Sequence, residues 1–182
     1  ADYVTGVEET STNKIVLYSS AQTGKTTELK QLCWELQQSG LYLPVSFEVR
    51  TNTKLKRDDL PESQYVDGRE VVLVIDALDE VNGQKYEDLL EEIGGYAYEH
   101  PEMKMVLSCR SNFRRERQLE LFTELFLEEL SIDDARDYAA KREVNSDRFM
   151  RSVFANQLED FIKNPFFLSV LIDAYKGKGK QL

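Results

Sequence analysis

Histidine occurs once and cysteine twice in these 182 residues. That scarcity argues against a zinc centre or a disulfide framework. Cys33 and Cys109 lie inside apolar runs far apart in sequence, so both are expected to be small core residues in a reducing compartment. No apolar run approaches the length that spans a bilayer. The start of the chain also lacks the basic-then-apolar pattern of a secretory signal, so a cytoplasmic location is expected. There is no internal repeat, and the only low-complexity stretch is the short Lys/Gly tail, Lys176 to Lys180. Both ends are expected to continue into a longer protein. Cation excess is missing too: 33 acidic against 23 basic side chains give a formal charge of −10. Such a chain repels a phosphate backbone at long range, which disfavours general nucleic-acid binding.

What is present is an ordinary globular balance, 41% hydrophobic and 31% charged residues, long enough for one substantial core with a small appended subdomain. Lys14 to Tyr18 is a nearly continuous apolar run, as in a strand covered on both faces. A helix follows from about Lys25 to Ser39, with Leu29, Leu32, Cys33 and Leu36 on one face and Gly40 as its stop. Val45, Phe47 and Val49 alternate as a second strand. Residues 51–70 are polar and poorly periodic, broken by Pro61. Val71 to Ile75 forms a third strand ending at Asp76, and Tyr86, Leu89, Leu90 and Ile93 mark another helix. Met105 to Cys109 is a fourth strand, with a fifth at Leu125 to Leu127. Strand alternating with helix implies an α/β architecture with a parallel sheet. From Ser131, a capping-box-like start with Asp134, the reading is helical only: about Ile132 to Lys141, Arg148 to Lys163, and Phe166 to Tyr175 after the Asn164-Pro165 break. The expected organisation is an N-terminal segment 1–13, a nucleotide-binding domain 14–130, a helical subdomain 131–175 and a tail 176–182.

The strongest chemical signal is Ser19-Ser20-Ala21-Gln22-Thr23-Gly24-Lys25-Thr26 between a buried strand and an amphipathic helix. The phosphate-loop pattern is G-x-x-x-x-G-K-[ST], and Ser19 stands where its first glycine belongs. Gly24 lets the backbone approach phosphates, and amide N–H groups at a helix N-terminus favour negative charge. Lys25 would reach the β- and γ-phosphates, and the Thr26 hydroxyl would ligate Mg²⁺. Ser20, Ala21, Gln22, Thr23, Gly24, Lys25, Thr26 and Thr27 are therefore the candidate nucleotide-binding residues. The bland alternative is a glycine-containing turn followed by a lysine.

Asp76-Ala77-Leu78-Asp79-Glu80 ends an apolar strand, where a parallel sheet opens its ligand crevice. Asp76 would hold Mg²⁺, and Asp79 and Glu80 would polarise an attacking water. A solvated acidic loop is the alternative. Arg110, at the end of Ser108-Cys109-Arg110, would sense the γ-phosphate or be a plain strand-end arginine. Arg114, Arg115 and Arg117 read as a solvated face first and an arginine finger second. His100 reads as a surface turn residue, Trp34 as packing, and Asp133 and Asp134 as first-turn helix charges.

Taken in order, KIVLYSSAQTGKTTELK, VVLVIDALDE, MVLSCRSNFR and FIKNPFFLSVL resemble the NACHT domains of the STAND class of P-loop ATPases, found in NOD-like receptors and many bacterial defence proteins. The resemblance covers about residues 14 to 175. It implies a three-layer P-loop sandwich with strand order 5-1-4-3-2 followed by a small helical subdomain. Asp76 would be the Mg²⁺ aspartate, Asp79 and Glu80 the hydrolytic pair, Arg110 the sensor, and Pro165 a contact to adenine. It further implies an ATP/ADP switch that hydrolyses slowly and self-associates when full length. A small-molecule phosphotransferase, another P-loop ATPase and a nucleotide-binding scaffold without hydrolysis are the competing readings. The Asn-Lys-x-Asp element that reads guanine is missing, which favours adenine.

Overall fold

A computed structural model describes residues 13–49, 55–81, 84–114 and 119–177. Two compact units divide the chain. One holds the residues up to Tyr18 together with Thr26–Phe126; the other holds Ser19–Lys25 and everything from Leu127 onward.

The first unit is α/β. Its strands are β1 (Lys14–Ser19), β2 (Tyr42–Glu48), β3 (Tyr65–Val66), β4 (Arg69–Asp76), β5 (Lys104–Arg110) and β6 (Thr123–Phe126), with the helices α1 (Lys25–Ser39) and α2 (Gln84–Glu99) between them. The sheet runs β2-β4-β5-β1-β6, with β3 attached to β4 off this path. β2 with β4, β4 with β5, and β1 with β6 pair in parallel, and β3 pairs antiparallel with β4. The sheet thus has six strands where five were expected. With β3 left aside, the other five, counted in chain order, run 5-1-4-3-2.

β4 explains the layering. Val71, Leu73 and Ile75 face a core built with Tyr86, Leu89, Leu90 and Ile93 of α2. Val72 and Val74 face the other way, against Leu29, Leu32, Cys33 and Leu36 of α1. Period-2 side-chain alternation therefore needs apolar residues at every position, which is why this strand reads as a continuous run. The expected α1 face is the one that packs, although only Leu29 of the four is fully buried. Trp34, expected to pack, is 57% exposed. His100 lies at the end of α2 with its ring 4.4 Å from that of Tyr96. Neither cysteine is in a disulfide; Cys109 is buried and Cys33 half-buried.

The stretch read as featureless between 51 and 70 contains a hairpin. Tyr65–Val66 pairs with Arg69–Glu70 around Asp67 and Gly68, both at positive φ (50° and 76°). Those are the torsions of a two-residue primed turn, and Asp-Gly is its usual sequence. The strand before it is only two residues long, too short to show alternation.

The second unit is helical beyond the loop: α3 (Ile132–Lys141), α4 (Ser146–Ala155), α5 (Glu159–Ile162) and α6 (Pro165–Gly177). Ser131 caps α3 as expected, accepting from the Asp134 N–H at 3.1 Å while its own N–H donates to Asp134 Oδ2 at 2.9 Å. The single helix expected from Arg148 to Lys163 is in fact two. It starts earlier, because Asn145 Oδ1 accepts the Arg148 N–H at 3.0 Å and serves as N-cap. It breaks at Gln157, whose φ is +57°. There the Gln157 N–H bonds to the Phe154 carbonyl and the Leu158 N–H to the Val153 carbonyl, a Schellman ending. Glu143 ends α3 in the same way, with φ +59°. Ala135, Ala139, Phe149, Met150, Val153, Ile162, Leu168, Ile172 and Tyr175 form this unit's core. No helix among the described residues is long and apolar enough to cross a membrane.

Candidate functional site

The candidate residues fall into two clusters. In the first unit, β4 and β5 run parallel with Ile75 paired to Leu107. One residue further, Asp76 meets Ser108. The Ser108 hydroxyl donates to Asp76 Oδ1 and accepts the Ala77 N–H at 3.0 Å. Ala77 adopts left-handed torsions (φ 64°, ψ 42°), rare for a residue with a Cβ. That turn redirects the chain into a single 3₁₀ turn, Leu78–Glu80, pinned by the fully buried Leu78.

Asp79 points back to the strand ends. Its Oδ1 accepts the Arg110 N–H at 2.9 Å, and its Oδ2 pairs with Arg110 Nε at 2.8 Å. The Asp79 side chain is 4% exposed and that of Arg110 45%. Glu80, beside it, is exposed. Of the residues expected to act on phosphate and water, Asp76, Asp79 and Arg110 are thus drawn together at one sheet edge. Ser108 joins them, a residue to which the sequence reading gave no role. Its signal was a hydroxyl inside an apolar strand, one position beyond the register partner of Ile75.

Asp76 is buried, and no described residue donates to its Oδ2. An unpartnered carboxylate oxygen in a buried setting suits a hard cation, and Mg²⁺ needs only one or two protein oxygens when phosphates and water supply the rest. The lack of any three-residue acidic or His/Cys group among the described residues is compatible with that demand.

The second cluster is the loop after β1. Gln22 (φ 64°) and Gly24 (φ 96°) both take the left-handed region, folding the backbone tightly before α1 opens at Lys25. At Gly24 nothing lies within 4 Å of the missing Cβ, so the requirement there is conformational. Lys25 Nζ donates to Ser19 Oγ at 2.8 Å and reaches the Ser20 carbonyl at 3.5 Å. Thr23 is buried, with its hydroxyl on Ser19 Oγ at 2.6 Å. Thr26 and Thr27 are exposed in the first turn of α1, where backbone N–H groups lack helical acceptors.

Asn164 joins this loop to the helices. Its Oδ1 caps α6, accepting the Phe166 N–H at 3.0 Å, and its Nδ2 donates to the Ala21 carbonyl at 3.4 Å. Pro165 takes the first helical position, where its lack of an N–H costs nothing.

Arg114 is exposed and ion-paired. Its guanidinium clamps Glu124 on β6, with Nε 2.9 Å from each carboxylate oxygen, and lies over the Phe126 ring. Its side chain is 46% exposed, so the pair lies on the solvated face expected of this arginine. Arg115 and Arg117 lie outside the described residues.

No family model matches the chain, and no curated protein matches it.

Proposed function

We propose that the chain binds ATP or ADP with Mg²⁺ in the manner of a P-loop NTPase, as a NACHT-like switch domain of the STAND class. The observation that carries this reading is the β1–loop–α1 passage. A strand feeds a loop turned by Gln22 and Gly24, and a helix begins at the lysine. The order 5-1-4-3-2 of the five longer strands is the one this class of fold uses, and it supports the assignment.

In this reading Lys25 and the amides of Ser20–Gly24 bind the β- and γ-phosphates, and Asp76 and Thr26 hold the metal. When bound, Mg²⁺ would neutralise charge on the phosphates. Ser108 fixes the rotation of the Asp76 carboxylate so that Oδ2 is presented. Asp79 and Glu80 would be the acidic pair that orients water, with both oxygens of Asp79 engaged by Arg110 until nucleotide binds. Pro165 and the start of α6 would border the adenine, and Arg110 would respond to the γ-phosphate by releasing Asp79. A carboxylate latched in this way supports slow hydrolysis, as suits a switch that self-associates in the longer protein.

The experiment is to identify the nucleotide carried by the purified protein by mass, and to measure its affinity by calorimetry in wild type and Lys25→Ala. Charge-assisted hydrogen bonds contribute about 1.5–3 kcal/mol each, so Lys25→Ala should weaken ADP and ATP binding by about tenfold or more. A folded Lys25→Ala protein that binds as wild type would sink the proposal.

A further inference from the structure

The first position of the phosphate-loop pattern calls for glycine, and this chain has Ser19. Its hydroxyl is the meeting point of the loop's side chains. It accepts from Thr23 Oγ1 at 2.6 Å and from Lys25 Nζ at 2.8 Å, and it donates to the Ser20 carbonyl at 2.9 Å. One proton and two lone pairs are all a hydroxyl has, so the oxygen is fully used. Ser19 is 2% exposed, which removes water as a competitor for those bonds.

Resting on the nucleotide reading above, we propose that Ser19 is a positioning residue that pre-orients the Lys25 ammonium for the terminal phosphates of a nucleoside di- or triphosphate. A lysine ammonium sits on a flexible four-carbon stem, and ordering such a side chain on binding costs affinity. Ser19 holds the ammonium over the loop beforehand. The Thr23 hydroxyl, donating to the same oxygen, orients Ser19 in turn. Glycine has no side-chain oxygen and would remove this contact to the ammonium.

The motif rule and this geometry make opposite forecasts for Ser19→Gly. If position 19 simply prefers glycine, the substitution restores the pattern and binding tightens. If Ser19 positions Lys25, binding weakens. The test is ADP and ATP affinity by calorimetry, on the whole chain, for wild type, Ser19→Ala, Ser19→Gly, Ser19→Thr, Lys25→Ala and the double variant Ser19→Gly with Lys25→Ala. A net hydrogen bond of ordinary strength corresponds to about a three- to tenfold loss for Ser19→Ala and Ser19→Gly. Ser19→Thr keeps the hydroxyl and should stay within about twofold of wild type. In the Lys25→Ala background, Ser19→Gly should cost less than about twofold further, because the group it positions is gone.

Ser19→Gly carries the comparison should Ser19→Ala fold poorly, since the loop's backbone accepts glycine anywhere. Equal or tighter binding by Ser19→Gly overturns the inference. So does the same loss with and without Lys25, which would mark Ser19 as a support of the loop alone. If Lys25→Ala itself loses nothing, the nucleotide reading falls and this inference falls with it. A normal loss for Lys25→Ala beside none for Ser19→Gly overturns only the role of Ser19.

Discussion

Asp79 gives both of its carboxylate oxygens to Arg110, one to the backbone N–H at 2.9 Å and one to the guanidinium Nε at 2.8 Å. The pair ties the turn after β4 to the end of β5. Deleting the Arg110 side chain leaves a buried carboxylate with a single donor. The arginine is itself half exposed, so the loss is moderated by solvent. Arg110→Ala should lower unfolding free energy by about 1–2 kcal/mol. Combined with Asp79→Asn it should cost less than the sum, by about 1 kcal/mol. Strict additivity in urea denaturation would show that the pair contributes nothing.

The same pairing separates the two carboxylates that sequence places side by side. Glu80→Gln should abolish most ATP turnover while nucleotide affinity stays within about twofold, the signature of a group that acts on water. Asp79→Asn should act mainly through stability. Unchanged phosphate release in Glu80→Gln would move the water-orienting role elsewhere.

Ser108 should be read out by metal rather than by nucleotide. Without its hydroxyl the Asp76 carboxylate is free to rotate, so Ser108→Ala should raise the Mg²⁺ concentration needed for half-maximal ATP binding by about fivefold. That is within the usual loss for a partner that orients a ligand. ADP affinity measured in EDTA should not change. An unaltered Mg²⁺ requirement would reduce Ser108 to a support for the Ala77 turn.

Tyr18 predicts an alkaline limit. Burial, followed by neighbouring Cys109 and Glu124, pushes its phenol up to about 12, with Arg114 opposing. In the unfolded chain the phenol ionises near 10, so unfolding releases a proton between these values. Its contribution is fully present below pH 10 and is lost as pH rises toward 12. Tyr18→Phe keeps the ring stacked on Phe126 at 5.6 Å and should flatten the fall in thermal midpoint across that window. A fall as steep as wild type would locate the alkaline sensitivity in another group.

The two Schellman endings carry residues other than glycine at left-handed torsions. Glu143→Gly and Gln157→Gly should each stabilise the helical unit by about 0.5–1 kcal/mol, by removing the Cβ conflict. A lower thermal midpoint in both would show that their side chains contribute more than the strain costs.

These endings also mark where sequence reading stops. Glycine announces a left-handed cap, and at Gly40 it did. Gln157 announces nothing, so periodicity alone reads α4 and α5 as one helix. The β3–β4 hairpin was legible in Asp67-Gly68, but a two-residue strand has no pattern to confirm it. The long strands, the start of α1, and the Ser131 cap follow from local chemistry: apolar runs, a lysine after glycine, and a hydroxyl three residues before an acidic side chain. Side-chain partnership across strands is a different matter. Sequence placed Asp76, Asp79 and Arg110 at strand ends, because hydrophobic runs stop there. Only the parallel register of β4 with β5 decided that Ser108 meets Asp76 and that Arg110 takes both oxygens of Asp79. Register depends on contacts between residues more than thirty positions apart, and no local propensity encodes it.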